Sequence, residues 1–98
     1  MNETKVRGML GLAVRARQLC FGEEACGILV RKGKCAAVFL DGEAGPNTRK
    51  KTEAMCKAAG IPLVLLPEGM IGQATGRSNR IAALQKGAFA EQMTGCLL

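Results

Sequence analysis

Histidine, tryptophan and tyrosine are absent from these 98 residues, and phenylalanine and proline occur three times each. Without histidine, the side chain that most readily moves protons near neutral pH is missing, as is the commonest imidazole ligand for zinc. The five cysteines, Cys20, Cys26, Cys35, Cys56 and Cys96, are odd in number, and no two stand at CxxC spacing. Zinc sites built from paired ligands and thioredoxin-type redox motifs are therefore unsupported. A disulfide framework does not suit a chain whose start, MNETKVRG, lacks the apolar core of a secretory signal. The expected role of the thiols is small apolar filler in a reducing compartment.

Long apolar runs are also lacking. The longest, residues 35–40 and 61–66, fall far short of the roughly 20 residues that span a bilayer. The expected compartment is the cytoplasm, with no membrane partner. Neither GxGxxG nor GxxxxGK[ST] occurs, so no nucleotide cofactor is expected, nor any other. Gly69-Met70-Ile71-Gly72 has the bare GxxG spacing of a KH loop, but the surrounding pattern differs. Glu23 and Glu24 are the only adjacent carboxylates. An acid–base pair needs surroundings that push two pKa values apart, and no motif supplies them. The chain is not expected to be an enzyme.

What is present is positive charge. Fourteen Lys and Arg against eight Asp and Glu leave a net charge of +6. Such a bias in one small domain favours an anionic partner, nucleic acid or an acidic membrane surface. Hydrophobic residues make up 48%, enough for one globular core spanning residues 1–98 and no second.

The hydrophobic pattern alternates between helical and strand periods. Val6, Met9, Leu10, Ala13 and Val14 form one stripe of a helix over residues 3–15. A short strand is expected at residues 19–21. Gly22 opens a second helix, with Glu23 and Glu24 where free amides favour negative charge. Ala25, Ile28 and Leu29 are its expected inward face, and Gly33 its stop. Residues 35–40 read as a buried strand. Residues 41–45 read as a loop, and Pro46 with Asn47 introduces a third helix capped by Asn47 or a neighbour. That helix should turn Arg49, Lys50, Lys51 and Lys57 outward and Ala54, Met55, Ala58 and Ala59 inward. Residues 61–66 form the next strand, 68–75 a short helix, 81–84 a strand, and 88–97 a last helix with Phe89, Met93 and Leu97 spaced by four. Strands separated by helices imply an α/β fold, a three-layer α-β-α sandwich with a small mixed sheet.

Arg77, Ser78, Asn79 and Arg80 are the most suggestive cluster. Guanidinium groups hold phosphate in two-point contact, and an amide can pair with a base edge. Against this, a polar basic turn is also an ordinary solvated loop. Phe21, Phe39 and Phe89 all stand in apolar contexts. A platform stacking unpaired bases needs exposed aromatics, so any RNA bound should be a folded shape and not a threaded strand.

Several words of the sequence resemble the kink-turn-binding ribosomal proteins of the L7Ae-like superfamily, above all its bacterial YlxQ-like branch. They are Met9-Leu10-Gly11-Leu12-Ala13 with Arg15-Ala16, Gly22-Glu23-Glu24 with Gly33-Lys34, and Val38-Phe39-Leu40 leading to Asn47-Thr48-Arg49-Lys50-Lys51. Gly60-Ile61-Pro62-Leu63, residues 70–77 (MIGQATGR) and Gly87-Ala88-Phe89-Ala90 follow in the family's order. The resemblance implies a non-catalytic, monomeric binder of structured RNA, probing kink-turns of ribosomal or other non-coding RNA, with the ribosome or translation machinery as a further partner. It implies that Gly22, Glu23, Glu24 and Ala25 meet the sheared G·A pairs, and that Gly76, Arg77, Ser78, Asn79 and Arg80 cover a flipped-out nucleotide. Arg15, Arg17, Lys32 and Lys34 would extend the basic surface toward peripheral phosphates. Strong kink-turn binders carry Asn, Glu and then Lys where this chain has Glu24, Ala25 and Ile28. With the cations moved into the loop, binding is expected to be weaker and more salt-dependent. The alternative is a translation-associated protein-interaction module that keeps the fold without kink-turn affinity.

Overall fold

The computed structural model describes residues 2–97, and the side chains of residues 2–93. The chain runs α1 (Glu3–Arg15), β1 (Leu19–Phe21), α2 (Glu23–Arg31), β2 (Cys35–Asp41), α3 (Pro46–Ala59), β3 (Leu63–Leu66), α4 (Met70–Thr75), β4 (Ile81–Gln85) and α5 (Ala88–Leu97). One four-stranded sheet has the order β1-β4-β2-β3. β2 and β3 are parallel, joined by α3, while β4 lies antiparallel to both β1 and β2. The sheet is therefore mixed, as the strand–helix alternation predicts.

Two apolar layers cover the sheet. On one face Val6, Met9, Leu10 and Ala13 of α1 and Met70 and Ile71 of α4 pack on Ala37, Phe39, Ala82 and Leu84. On the other, Cys26 and Val30 of α2 and Cys56 of α3 pack on Cys35, Val38, Leu40, Ile81 and Ala83. Strand side chains alternate between faces, so Cys35 and Val38 should face opposite ways. They share a face because a bulge shifts the register between Cys35 and Ala37.

The helix faces differ in part from the pattern-based expectation. α1 buries the predicted stripe. α2 buries Cys26, Gly27 and Val30 instead of Ile28, which is 40% exposed. Cys26 and Val30 supply its contact with the sheet. α3 buries Thr52 and Cys56, while Ala54, Ala58 and Ala59 face solvent. Alanine burial releases too little apolar area to set the rotation of a helix. Gly45, not Asn47, takes the cap position of α3, with Pro46 in its first turn. β3 starts at Leu63 rather than residue 61, since Ile61 N–H closes α3 on Cys56 O at 2.9 Å and Pro62 has no N–H to pair. α4 starts at Met70. The Leu97 position of α5 and Cys96 lie outside the described side chains.

Three helices end in one hydrogen-bond pattern. After α2, Gly33 N–H donates to Val30 O and Lys34 N–H to Leu29 O, and after α3, Gly60 and Ile61 do the same to Lys57 O and Cys56 O. After α1, Arg17 N–H donates to Val14 O and Gln18 N–H to Ala13 O. Each needs a left-handed residue at its centre. Gly33 and Gly60 suit it, but Arg17 adopts φ 59 with a Cβ. A left-handed conformation costs a side-chain-bearing residue about 1–2 kcal/mol, and glycine loses about 0.5–1 kcal/mol more backbone entropy on folding. Arg17→Gly is therefore expected to stabilise the domain by about 0.5–1 kcal/mol, read as a shift in the urea midpoint at unchanged slope. A destabilised variant would mean that the Arg17 side chain itself holds this turn.

Candidate RNA-binding cradle

β4 decides what can meet what. At its start, Gly22 N–H donates to Ile81 O at 3.1 Å, and Arg80 O accepts from Asp41 N–H at 2.8 Å. The opening of α2, the end of β2 and the loop before β4 are thereby stitched to one end of the sheet. A methyl group on Gly22 would lie 3.6 Å from the Asn79 side-chain nitrogen. The Arg77 guanidinium sits over the Phe21 ring at 4.8 Å from its centroid. The two segments singled out in the sequence therefore form one surface, which residue spacing alone could not show.

Gly22 has φ 92 and ψ 157, a conformation that penalises any Cβ. It offers no side-chain cap, so the first-turn amides of Glu23, Glu24 and Ala25 lack intrahelical partners. In front of them lies an open hollow of about 390 Å³ lined by Phe21, Gly22, Glu23, Glu24, Ala25 and Ile28. Across the Arg77–Phe21 stack lies a second hollow of about 250 Å³. Its walls are Arg77, Ser78, Asn79 and Arg80 on one side and Asp41, Glu43, Gly69 and Gly72 on the other.

The loop over residues 76–80 is pinned at both ends. Gly76 N–H donates to Gly72 O at 2.9 Å. Thr75 Oγ1 donates to Ile71 O at 2.6 Å and accepts from Arg77 N–H at 3.1 Å. A cation over a half-buried ring such as Phe21 adds about 0.5–1 kcal/mol. At the other end Arg80 reaches Glu43 at 3.6 Å, an exposed pair that orients more than it stabilises.

Asp41 is the residue the sequence pattern hides. It stands at the end of an apolar run and reads as the first residue of a loop. In the structure it closes β2 and is buried. Its carboxylate accepts from Glu43 N–H at 2.9 Å, Gly69 N–H at 3.0 Å and Ile71 N–H at 3.2 Å. Burial pushes its pKa up, but the three amides, with Arg80 nearby, outweigh burial and hold it below the ordinary carboxylate range. Glu43 and Phe21 also escape the pattern. The one signal for Asp41 is an acid at the carboxyl end of a buried strand, where open α/β sheets place their sites.

Charge is distributed differently from the residue count. Arg77 and Arg80 share the two hollows with Glu23, Glu24, Asp41 and Glu43. The cradle thus joins two guanidiniums to four carboxylates, and its positive field is weaker than the loop alone implies. Nor do the predicted peripheral cations extend it. Gln85 N–H donates to Gln18 O and Lys86 N–H to Lys34 O at the far end of β4. Arg17, Lys32 and Lys34 belong to that opposite end. Arg15 turns back along α1, its Nε donating to Gly11 O at 3.3 Å.

The model of the ribosomal protein L7Ae/L30e/S12e/Gadd45 family matches residues 4–91. The RNA-binding protein YlxQ of Enterococcus faecium is 30% identical over 92 residues, covering 93% of this chain and 89% of that protein. YlxQ of Bacillus subtilis strain 168 is 29% identical over 91 residues, covering 91% of each. A Bacillus halodurans protein of unknown function superposes with a TM-score of 0.82 at 32% identity, over 93% of this chain and 94% of that one. A 15.5 kD RNA binding protein of Giardia lamblia shares the fold with a TM-score of 0.80 at 16% identity, over 96% and 85%.

Removing the Asp41 carboxylate should loosen the whole cradle. Hydrogen bonds to a charged group contribute about 1.5–3 kcal/mol each at most, and not additively, so Asp41→Ala is expected to cost about 3 kcal/mol. Because its folded pKa is depressed, Asp41 contributes fully above the unfolded value of about 3.9 and loses that contribution as pH falls through the folded value. Asp41→Asn should therefore flatten the acid limb of stability below about pH 4. Parallel wild-type and variant curves in that range would show that the fold does not depress the Asp41 pKa.

Proposed function

Because the chain belongs to the ribosomal protein L7Ae/L30e/S12e/Gadd45 family, we propose that it is a non-catalytic RNA-binding protein that recognises a kink-turn through the opening of α2 and the loop over residues 76–80. The observation that carries this reading is the single concave surface formed where Gly22 meets Asn79 and Arg77 covers Phe21. A duplex bent at tandem G·A pairs offers such a surface two things at once: purine edges in its groove and an extruded nucleotide beside them. Glu23, Glu24 and Ala25 face the purine edges, and Gly76, Arg77, Ser78, Asn79 and Arg80 enclose the extruded nucleotide.

The charge balance assigns the chemistry. A glutamate accepts hydrogen bonds from guanine imino and amino groups, which phosphate cannot offer. Free amides at the helix opening and the two guanidiniums serve the flanking phosphates. Base edges then carry more of the recognition than the field does, so with four carboxylates beside the two guanidiniums the salt dependence is smaller than the loop's cations alone imply. The natural setting is ribosomal or other non-coding RNA in the cytoplasm, met by a monomer, with the ribosome or translation machinery as the larger assembly. The curated relatives in Enterococcus faecium and Bacillus subtilis are themselves called RNA-binding proteins. A second reading has one observation in its favour. Ile28 stands 40% exposed where the family resemblance implies a lysine, as a protein-interaction module without kink-turn affinity would have it.

A gel shift on a kink-turn RNA separates the two. Binding should disappear when the G·A pairs are replaced by Watson–Crick pairs. Arg77→Ala with Arg80→Ala should cost about 1–3 kcal/mol in affinity. With about two phosphates neutralised, log affinity should fall with log salt at a slope of about −2. No binding at low salt, or equal binding to the duplex without G·A pairs, would leave the interaction-module reading standing.

A further inference from the structure

The thiols are not dispersed. Cys26, Cys35 and Cys56 are buried in the layer between the sheet and helices α2 and α3, and Cys20 packs against the same layer while remaining partly exposed. Within this group Cys20 and Cys26 are a distinct pair, neighbours where β1 leads into α2. Cys26 Sγ donates to Cys20 O at 3.6 Å. Cys20 Sγ lies 3.9 Å from Ala25 O and 3.8 Å from Ala83 O. Cys35 is turned away, its Sγ donating to Ala37 O at 3.3 Å.

We infer that Cys20 and Cys26 form a peroxide-reactive pair, in which the partly exposed Cys20 takes the first oxidation and the buried Cys26 resolves it to an intramolecular disulfide. Three features support this. Cys20 is the thiol of the group with solvent access. The Cys26 sulfur already reaches the Cys20 backbone at 3.6 Å, so the two side chains are neighbours in the folded domain. The neighbouring Cys26 thiol, against the opposing effect of burial, lowers the Cys20 pKa to about 7. Burial raises Cys35 to about 11 and also raises Cys56, so neither offers much thiolate at neutral pH.

The step balances with hydrogen peroxide as the oxidant. The Cys20 thiolate attacks one peroxide oxygen, the O–O bond breaks, and hydroxide leaves and takes up the proton Cys20 had released. Cys20 is then a sulfenic acid. The Cys26 sulfur attacks it, the S–S bond forms, the S–O bond breaks, and the departing hydroxyl carries off the Cys26 proton as a second water. Two thiols are oxidised and one peroxide is reduced to two waters. The resulting ring encloses Phe21, Gly22, Glu23, Glu24 and Ala25, the opening of α2.

The sequence makes the test direct, since no Lys or Arg stands between the two cysteines and trypsin releases residues 18–31 as one peptide. The native full-length protein is treated with stoichiometric hydrogen peroxide, alkylated under denaturing conditions and digested. The peptide is expected to lose two hydrogens and resist alkylation until dithiothreitol is added, with Cys35 and Cys56 still alkylated. In Cys26→Ser the oxidation should stop at Cys20, which a dimedone probe then labels. If that peptide keeps both thiols under these conditions, or if Cys20 is instead recovered in a disulfide between two chains, the pair is not what the geometry implies. Dimedone labelling of Cys20 in the wild-type protein equal to that in Cys26→Ser would remove Cys26 as the resolving thiol.

Discussion

One buried carboxylate holds three chain segments together. Asp41 ends β2, accepts the amides of Glu43, Gly69 and Ile71, and through its own N–H binds Arg80 O. α4 has no side-chain cap of its own, so a residue about thirty positions earlier supplies one. A charge placed in a low-dielectric setting is tolerated only when its oxygens are fully engaged. That requirement works in reverse as a constraint. The carboxylate cannot keep its three donors unless the loop after β2 and the turn into α4 stay where they are, and the Asp41 N–H ties the start of β4 to the same point. The loop over residues 76–80, short and exposed, inherits its position from these neighbours.

Much of the fold was legible. Helical and strand periods are distinct here, the turn glycines fall at helix ends, and element order predicts the mixed sheet between two helical layers. What escaped did so for physical reasons. Ala54, Ala58 and Ala59 look apolar in a string of letters but contribute little burial, so Thr52 and Cys56 set the rotation of α3 instead. Ile28 turns outward because Cys26 and Val30 already fill the layer between α2 and the sheet. The sharing of one face by Cys35 and Val38 depends on a bulge, which has no local signature in alanine-rich sequence. At the site, the two segments were legible separately. Their meeting depends on Ile81 O and Asp41, and hydrogen bonds across many residues leave no spacing to read.

Electrostatics shows a similar division. The excess of Lys and Arg over Asp and Glu is a property of the whole chain and says little about any one place on it. Around the cradle carboxylates outnumber guanidiniums, whereas Arg17, Lys32, Lys34 and Lys86 gather at the other end of β4. A long-range positive field can draw an anionic polymer toward such a molecule, while the near surface selects among its features by hydrogen-bond direction.

β3 forms one rim of the sheet, and its Leu65 is 48% exposed. Pro62 immediately precedes this strand and Pro67 immediately follows it. A rim of unpaired peptide groups beside exposed leucine is a template on which a second chain could dock strand to strand. Proline withholds a ladder hydrogen at each end and leaves a platform only four residues long. Two imino acids thus trim the one margin of β3 on which another strand could settle.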